Sequence, residues 1–153
     1  MPPALSRGKN LNVLDLVERL AITPPSGITE IEAALDLRLT PDSARTSPYY
    51  DWFEVELEGP VTRVTWRAPS GARSSAPTLL VLDVAPLRCI KQADVTARFG
   101  LDVADVSVPE AHAPADSPIY LVYRRSWGSL KFGFMRQPPS CLRSVVFQSG
   151  PEP

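Results

Sequence analysis

The pair Ser47-Pro48-Tyr49-Tyr50 recurs seventy positions later as Ser117-Pro118-Ile119-Tyr120, and Pro69-Ser70 recurs at the same offset as Pro139-Ser140. Five identities fall in that 24-residue window. A stretch with hairpin character lies between each pair of markers. This recurrence constrains the fold more than any other feature of the chain. It predicts one sheet assembled from two related halves by internal duplication, the alternative being chance recurrence of Pro-Ser turn chemistry.

The first hairpin is the clearest local signal. From Trp52 to Glu58 the chain alternates, with Phe53, Val55 and Leu57 on one face and Trp52, Glu54, Glu56 and Glu58 on the other. Gly59-Pro60 offers a two-residue turn, with glycine where φ must be positive. The return strand, Val61 to Arg67, then sets Phe53 opposite Trp66, Val55 opposite Val64, Glu56 opposite Arg63 and Trp52 opposite Arg67. Apolar residues meet on one face and opposite charges on the other, so a one-residue slip spoils both faces at once.

The remaining segments follow from periodicity. Asn12 to Ala21 has apolar residues at helical spacing. Thr29 and Glu32 form a T-x-x-E capping-box pattern, predicting a second helix from Thr29 to about Asp36. Residues 40–49 read as a loop. Leu79 to Val84 reads as a central strand buried on both faces. Gln92 to Phe99 is a short helix stopped by Gly100, and residues 101–117 are a long polar connection. Ile119 to Ser126 and Leu130 to Met135 flank a turn at Gly128-Ser129. That hairpin puts Arg125 on its apolar face, to be accommodated at the sheet end or by stacking on a ring. Leu142 to Phe147 is the last strand.

The predicted order is α-α-βββ-α-βββ. The fold class is α+β: a mostly antiparallel sheet of about six strands with helices on one face. Residues 1–10 read as a disordered lead, 11–148 as one domain with halves at about 11–85 and 89–148, and 149–153 as a tail. A chain of 153 residues is long enough to bury a core as one domain. The 17 prolines gather in the expected connections, where their missing N–H costs no ladder bond.

Chemistry is sparse. With 16 basic and 17 acidic residues, bulk charge favours neither nucleic acid nor an anionic membrane. No apolar run reaches the length of a spanning helix. His112, the sole histidine, sits in a loop, and with Cys89 and Cys141 it shows no metal-ligand spacing. Glu54, Glu56 and Glu58 make a carboxylate row, but Arg63 and Arg67 face it and explain it by ion pairing. Gly128-Ser-Leu-Lys131 lacks the glycine spacing of a phosphate loop. The second half mixes aromatic and basic residues, yet the hairpin turns most of those rings inward, away from nucleic acid. Neither a catalytic site, a metal nor a cofactor is expected.

The surface that remains is the sheet face turned away from the helices. The residues assigned to a partner are Tyr49, Tyr50, Trp52, Glu54, Glu56, Arg63, Arg67, Arg124 and Lys131. An aromatic anchor within a charged rim is a way to dock a protein. Cys89 and Cys141 have two readings. Joined, they staple the second half's helix to its last strand in an oxidising compartment. Unjoined, they are buried thiols, the reading favoured by the absence of a visible export signal. On that absence a cytoplasmic location is expected, or a periplasmic one if a signal has been removed.

The helix-then-three-strands unit, used twice, resembles the tandem-repeat β-lactamase inhibitor proteins and the related small outer-membrane lipoprotein fold. Ala93-Asp-Val-Thr-Ala-Arg-Phe-Gly100, Trp127-Gly-Ser-Leu-Lys-Phe-Gly-Phe134 and Cys141-Leu-Arg-Ser-Val-Val-Phe147 carry the likeness to the second unit. They also resemble small bacterial immunity proteins that block toxins delivered between competing cells. The likeness spans roughly residues 28–148 and rests on packing motifs. It implies a non-enzymatic inhibitor or immunity protein that plugs a cognate toxin or enzyme with a sheet face or loop. The chain departs from exported members in lacking a visible signal peptide or lipid-attachment cysteine. The alternative is a scaffold or assembly module of a bacterial envelope complex. The sequence leaves the oligomeric state open.

Overall fold

A computed structural model describes residues 12–47, 49–70, 77–103, 105–108, 111–114 and 116–149. The expected disordered lead and the end of the tail lie outside them. Among the described residues, three helices, α1 (Val13–Ile22), α2 (Ile28–Leu35) and α3 (Gln92–Phe99), accompany one antiparallel sheet of eight strands. The strands are β1 (Thr40–Pro41), β2 (Tyr50–Glu56), β3 (Val61–Pro69), β4 (Thr78–Val84), β5 (Asp105–Ser107), β6 (Ile119–Arg125), β7 (Gly128–Phe134) and β8 (Leu142–Ser149). Their spatial order is β1-β2-β3-β4-β8-β7-β6-β5. Each half of the chain thus lays down four strands in sequence, and the two sets meet where β4 pairs with β8.

The α+β class, the antiparallel sheet and the first hairpin agree with the sequence. Phe53 faces Trp66, Val55 faces Val64, Glu56 faces Arg63 and Trp52 faces Arg67. The sheet has eight strands rather than six. β1 and β5 form inside the stretches read as loops at 40–49 and 101–117, and they close the two edges. Both are too short to show an alternating pattern, and Pro41 in β1 is tolerated because an edge strand has one unpaired side.

Two further expectations change. The second hairpin turns at Ser126-Trp127, because Arg125 pairs with Gly128. Gly128 opens β7 at φ 148, and a Cβ there would lie 2.0 Å from the Gln148 carbonyl oxygen, so only glycine fits. The shift is an even number of residues, so the face assignments survive it: Leu121, Tyr123, Leu130, Phe132 and Phe134 all face the core. Arg125 is accommodated by stacking on Tyr123, 5.4 Å from the ring centroid. The T-x-x-E box does not form at α2. The helix begins at Ile28 with Gly27 as its N-cap, and Glu32 instead accepts from the Leu39 N–H at 2.8 Å. Glu30 takes the neighbouring role, accepting from the Ser26 N–H and hydroxyl.

The core lies between the helices and one sheet face. Cross-strand rows such as Val55, Val64, Leu82, Val145, Phe132 and Leu121 point into it. Leu16, Val17, Ile31, Leu35 and Val95 meet them from the three helices. Trp127, at its turn, stacks on Phe147 and donates its indole N–H to the Ala21 carbonyl at 3.0 Å. Arg98 of α3 pairs with Asp15 of α1. β4 is central as expected, but Leu79 and Val81 are only half-buried, because the helices cover one face.

Cys89 and Cys141 are joined. The bond ties the β4–α3 connection to the start of β8, beside a backbone hydrogen bond from Leu142 N–H to the Ile90 carbonyl. The reading as two separate thiols is therefore replaced. Cys141 is buried, and the three-dimensional proximity of Cys89 decides between the two readings.

Candidate functional site

The face opposite the helices carries the other half of each strand's alternation. Three cross-strand rows define it. The first runs Trp52, Arg67, Leu79, Gln148, Ser129, Arg124. The second runs Glu54, Thr65, Val81, Val146, Lys131, Val122. The third runs Glu56, Arg63, Asp83, Ser144, Gly133, Tyr120. All partner residues expected on strands therefore share this face. They do not form one cluster. Arg124 lies five strand spacings from Trp52, about 24 Å by sheet geometry.

The β2–β3 end holds the aromatic group. The Arg67 guanidinium stacks 4.7 Å from the Trp52 ring centroid and 5.3 Å from that of Tyr50. Arg45, from the turn after β1, lies 5.3 Å from the Trp52 centroid. Trp52 is thus engaged by two cations, each contributing about 0.5–1 kcal/mol at such a partly exposed site. Arg45 also pairs with Asp42 and Glu54, and Glu54 accepts from the Trp52 indole N–H at 3.5 Å. Tyr49, 64% exposed, stands beside this group.

The expected ion pairing of the carboxylate row is half right. Arg63 does pair with Glu56 at 3.1 Å. Arg67 does not join the row; it stacks on the rings instead. At the far end Lys131 donates to Gln148 Oε1 at 2.9 Å. There the Tyr120 ring crosses Gly133, where a Cβ would lie 2.7 Å from it.

Asp83 is the feature that sequence reasoning missed. It opens onto a polar cleft of about 610 Å3 lined by Glu56, Leu57, Thr62, Arg63, Val84 and Arg143. Two β-bulges shape the cleft. One skips Thr62 in the β3–β4 register, and the other skips Arg143 in the β7–β8 register. Bulges re-aim side chains and concentrate near functional sites. An acidic residue ending the apolar run Leu79-Leu-Val-Leu-Asp83 was the available signal.

Burial pushes the Asp83 carboxyl above its ordinary value near 3.8, against the pull of Arg63 and Arg143, with Glu54 adding to the rise. A raised folded-state value means that the unfolded chain ionises first. The ionised group therefore costs the folded state stability as pH climbs from the ordinary value through the folded one. Asp83→Asn removes that cost. Its unfolding free energy relative to the parent is expected to rise between about pH 3 and pH 7. Urea titrations of both proteins at the two pH values measure this, and an unchanged gap contradicts it.

His112 is exposed in a turn, and the described residues contain no group of three or more His, Cys, Asp or Glu able to hold a metal. No helix among them is long and apolar enough to cross a membrane. No family model, curated protein or solved structure matches this chain. What the fold defines is thus a class of architecture, an α+β protein with a half-covered antiparallel sheet.

Proposed function

We propose that this chain is a non-enzymatic protein-binding protein that docks its partner on the open face of the sheet. The supporting observation is the Tyr50–Arg67–Trp52 stack at the β2–β3 end of that face. Trp, Tyr and Arg dominate binding hot spots because they offer large contact area with few rotors to freeze. Here the rings are already held by guanidinium groups, so little ordering remains at binding. Glu54, Glu56, Arg63, Arg124 and Lys131 supply a charged rim for orientation.

Within that class we favour an immunity protein or inhibitor that neutralises a cognate bacterial toxin or enzyme. A rigid sheet face is suited to blocking a concave active site. The Cys89–Cys141 bond favours action in an oxidising compartment such as the periplasm, since disulfides persist there and not in reducing cytosol.

Co-purification of the tagged chain from its own host, with mass spectrometry, supplies the partner. A single stoichiometric hydrolase or toxin whose activity falls on binding is the expected result. Envelope assembly components would favour a scaffold instead. With the partner in hand, Trp52→Ala is expected to weaken binding by about 30-fold or more, the scale of a hot-spot truncation, while leaving the fold intact. Calorimetry reads the affinity, and an unchanged Kd moves the interface off this face.

A further inference from the structure

Most charges on the open face are paired. Arg63 pairs with Glu56, Arg45 with Asp42 and Glu54, and Lys131 with Gln148. Two are not. Arg67 has no carboxylate partner among the described residues, and its Nε–H is buried without an acceptor. The carboxylate nearest in register, Glu54, is occupied by Arg45 and the Trp52 indole. A guanidinium pinned between two rings, with its fork free, is built to receive a carboxylate in bidentate fashion.

Asp83 is the counterpart. Its carboxylate makes no hydrogen bond or ion pair among the described residues. The guanidinium groups flanking it have anions of their own: Arg63 has Glu56, and Arg143 has Asp116. Both guanidinium groups are thus turned to other anions, and the Asp83 carboxylate feels them only at longer range, in a cleft wide enough for a long side chain. The residues skipped at the two bulges, Thr62 and Arg143, line that cleft.

The two poles have a fixed spacing. Leu79 of β4 pairs with Arg67, and Asp83 lies four residues further along the same strand. Along a strand this is about 14 Å. An extended segment laid on the face spans the same distance between its residues i and i+4, which project to one side.

We infer that the open face recognises an extended segment of its protein partner carrying an acidic side chain for Arg67 and a basic side chain for Asp83, four residues apart. This rests on the docking reading above and specifies the partner's chemistry. Pairing both poles at once relieves two desolvated charges, and it rejects segments with like charges at the two positions.

The test uses the isotopically labelled full chain and extended octapeptides at low ionic strength. One peptide has Glu and Lys four residues apart, two have a single charge each, and one is neutral at both positions. The Arg67 Nε–H and Asp83 carboxyl-carbon signals are followed by NMR. The Glu/Lys peptide is expected to move both signals with one common Kd, on the order of 10-fold tighter than either single-charge peptide. Arg67→Gln and Asp83→Asn are each expected to reduce it to single-charge affinity. Separate affinities for the two signals, or no movement of either, overturn the inference. So does inorganic phosphate moving Arg67 more tightly than the Glu peptides. A neutral peptide that shifts the Trp52 indole as strongly as the charged one would sink the charge code while leaving the docking face standing. The docking reading itself fails separately, if the natural partner binds elsewhere.

Discussion

Cys89→Ser with Cys141→Ser lowers the unfolding free energy by about 4 kcal/mol. The bond closes a sequence separation of 52 residues, and the chain-entropy model gives roughly that value for a loop of this size. A domain of this class has only about 5–15 kcal/mol in total, so the variant is left marginal. The physical reason lies in the fold. The bond joins the connection leaving β4 to the first residues of β8, and β4–β8 is the seam between the two halves. Without it, the unfolded chain regains the freedom to open the loop between Cys89 and Cys141, which carries α3 and β5–β7. Urea denaturation of the parent, the parent with reductant and the double variant measures the effect. The last two should coincide at a much lower midpoint. A parent midpoint indifferent to reductant would mean that the native protein does not depend on this bond.

Phe132→Ala is the second large effect, at about 3–5 kcal/mol. Phe132 is fully buried on β7, with the Phe99 ring centroid at 4.8 Å and that of Tyr123 edge-on at 5.8 Å. It joins α3 to the second hairpin, and the backbone of a sheet cannot collapse to fill the space its ring leaves. The melting temperature is expected to fall by about 10 °C or more. Phe132→Leu, which keeps most of the volume, should recover more than half of the loss. A fall of only a degree or two for the alanine variant would show that this core is loosely packed.

The parts of the fold with strong periodicity were legible in the sequence. Phe53–Trp66 and Val55–Val64 on one face and Glu56–Arg63 on the other set a register through two chemically distinct faces at once, and that register is found. Helix α3 was bounded by Gly100, which ends it. What escaped was local and short. Two-residue β1 and three-residue β5 have no alternation to read, and their strand character comes from pairing with β2 and β6. The Gly128 turn misled because glycine with positive φ serves equally inside a tight turn and just after one. At the site, Trp52 and Arg67 were placed on the face opposite the core, since face follows from parity alone. The stack between them was not foreseen, because charge complementarity with the glutamate row offered Arg67 an equally sound partner. The cleft at Asp83 depends on two bulges, and a bulge is a register event that no single strand announces.

The central claim is that the partner sits on the open sheet face. Hydroxyl-radical footprinting of the complex with the co-purified partner tests it directly, because it reads side-chain exposure residue by residue. Ile22 and Leu87, 81% and 74% exposed and lying outside that face, serve as internal controls. The account predicts that Tyr49, Tyr50 and Trp52 lose reactivity in the complex while Ile22 and Leu87 keep theirs. Protection of Ile22 and Leu87 with Trp52 unchanged would contradict it.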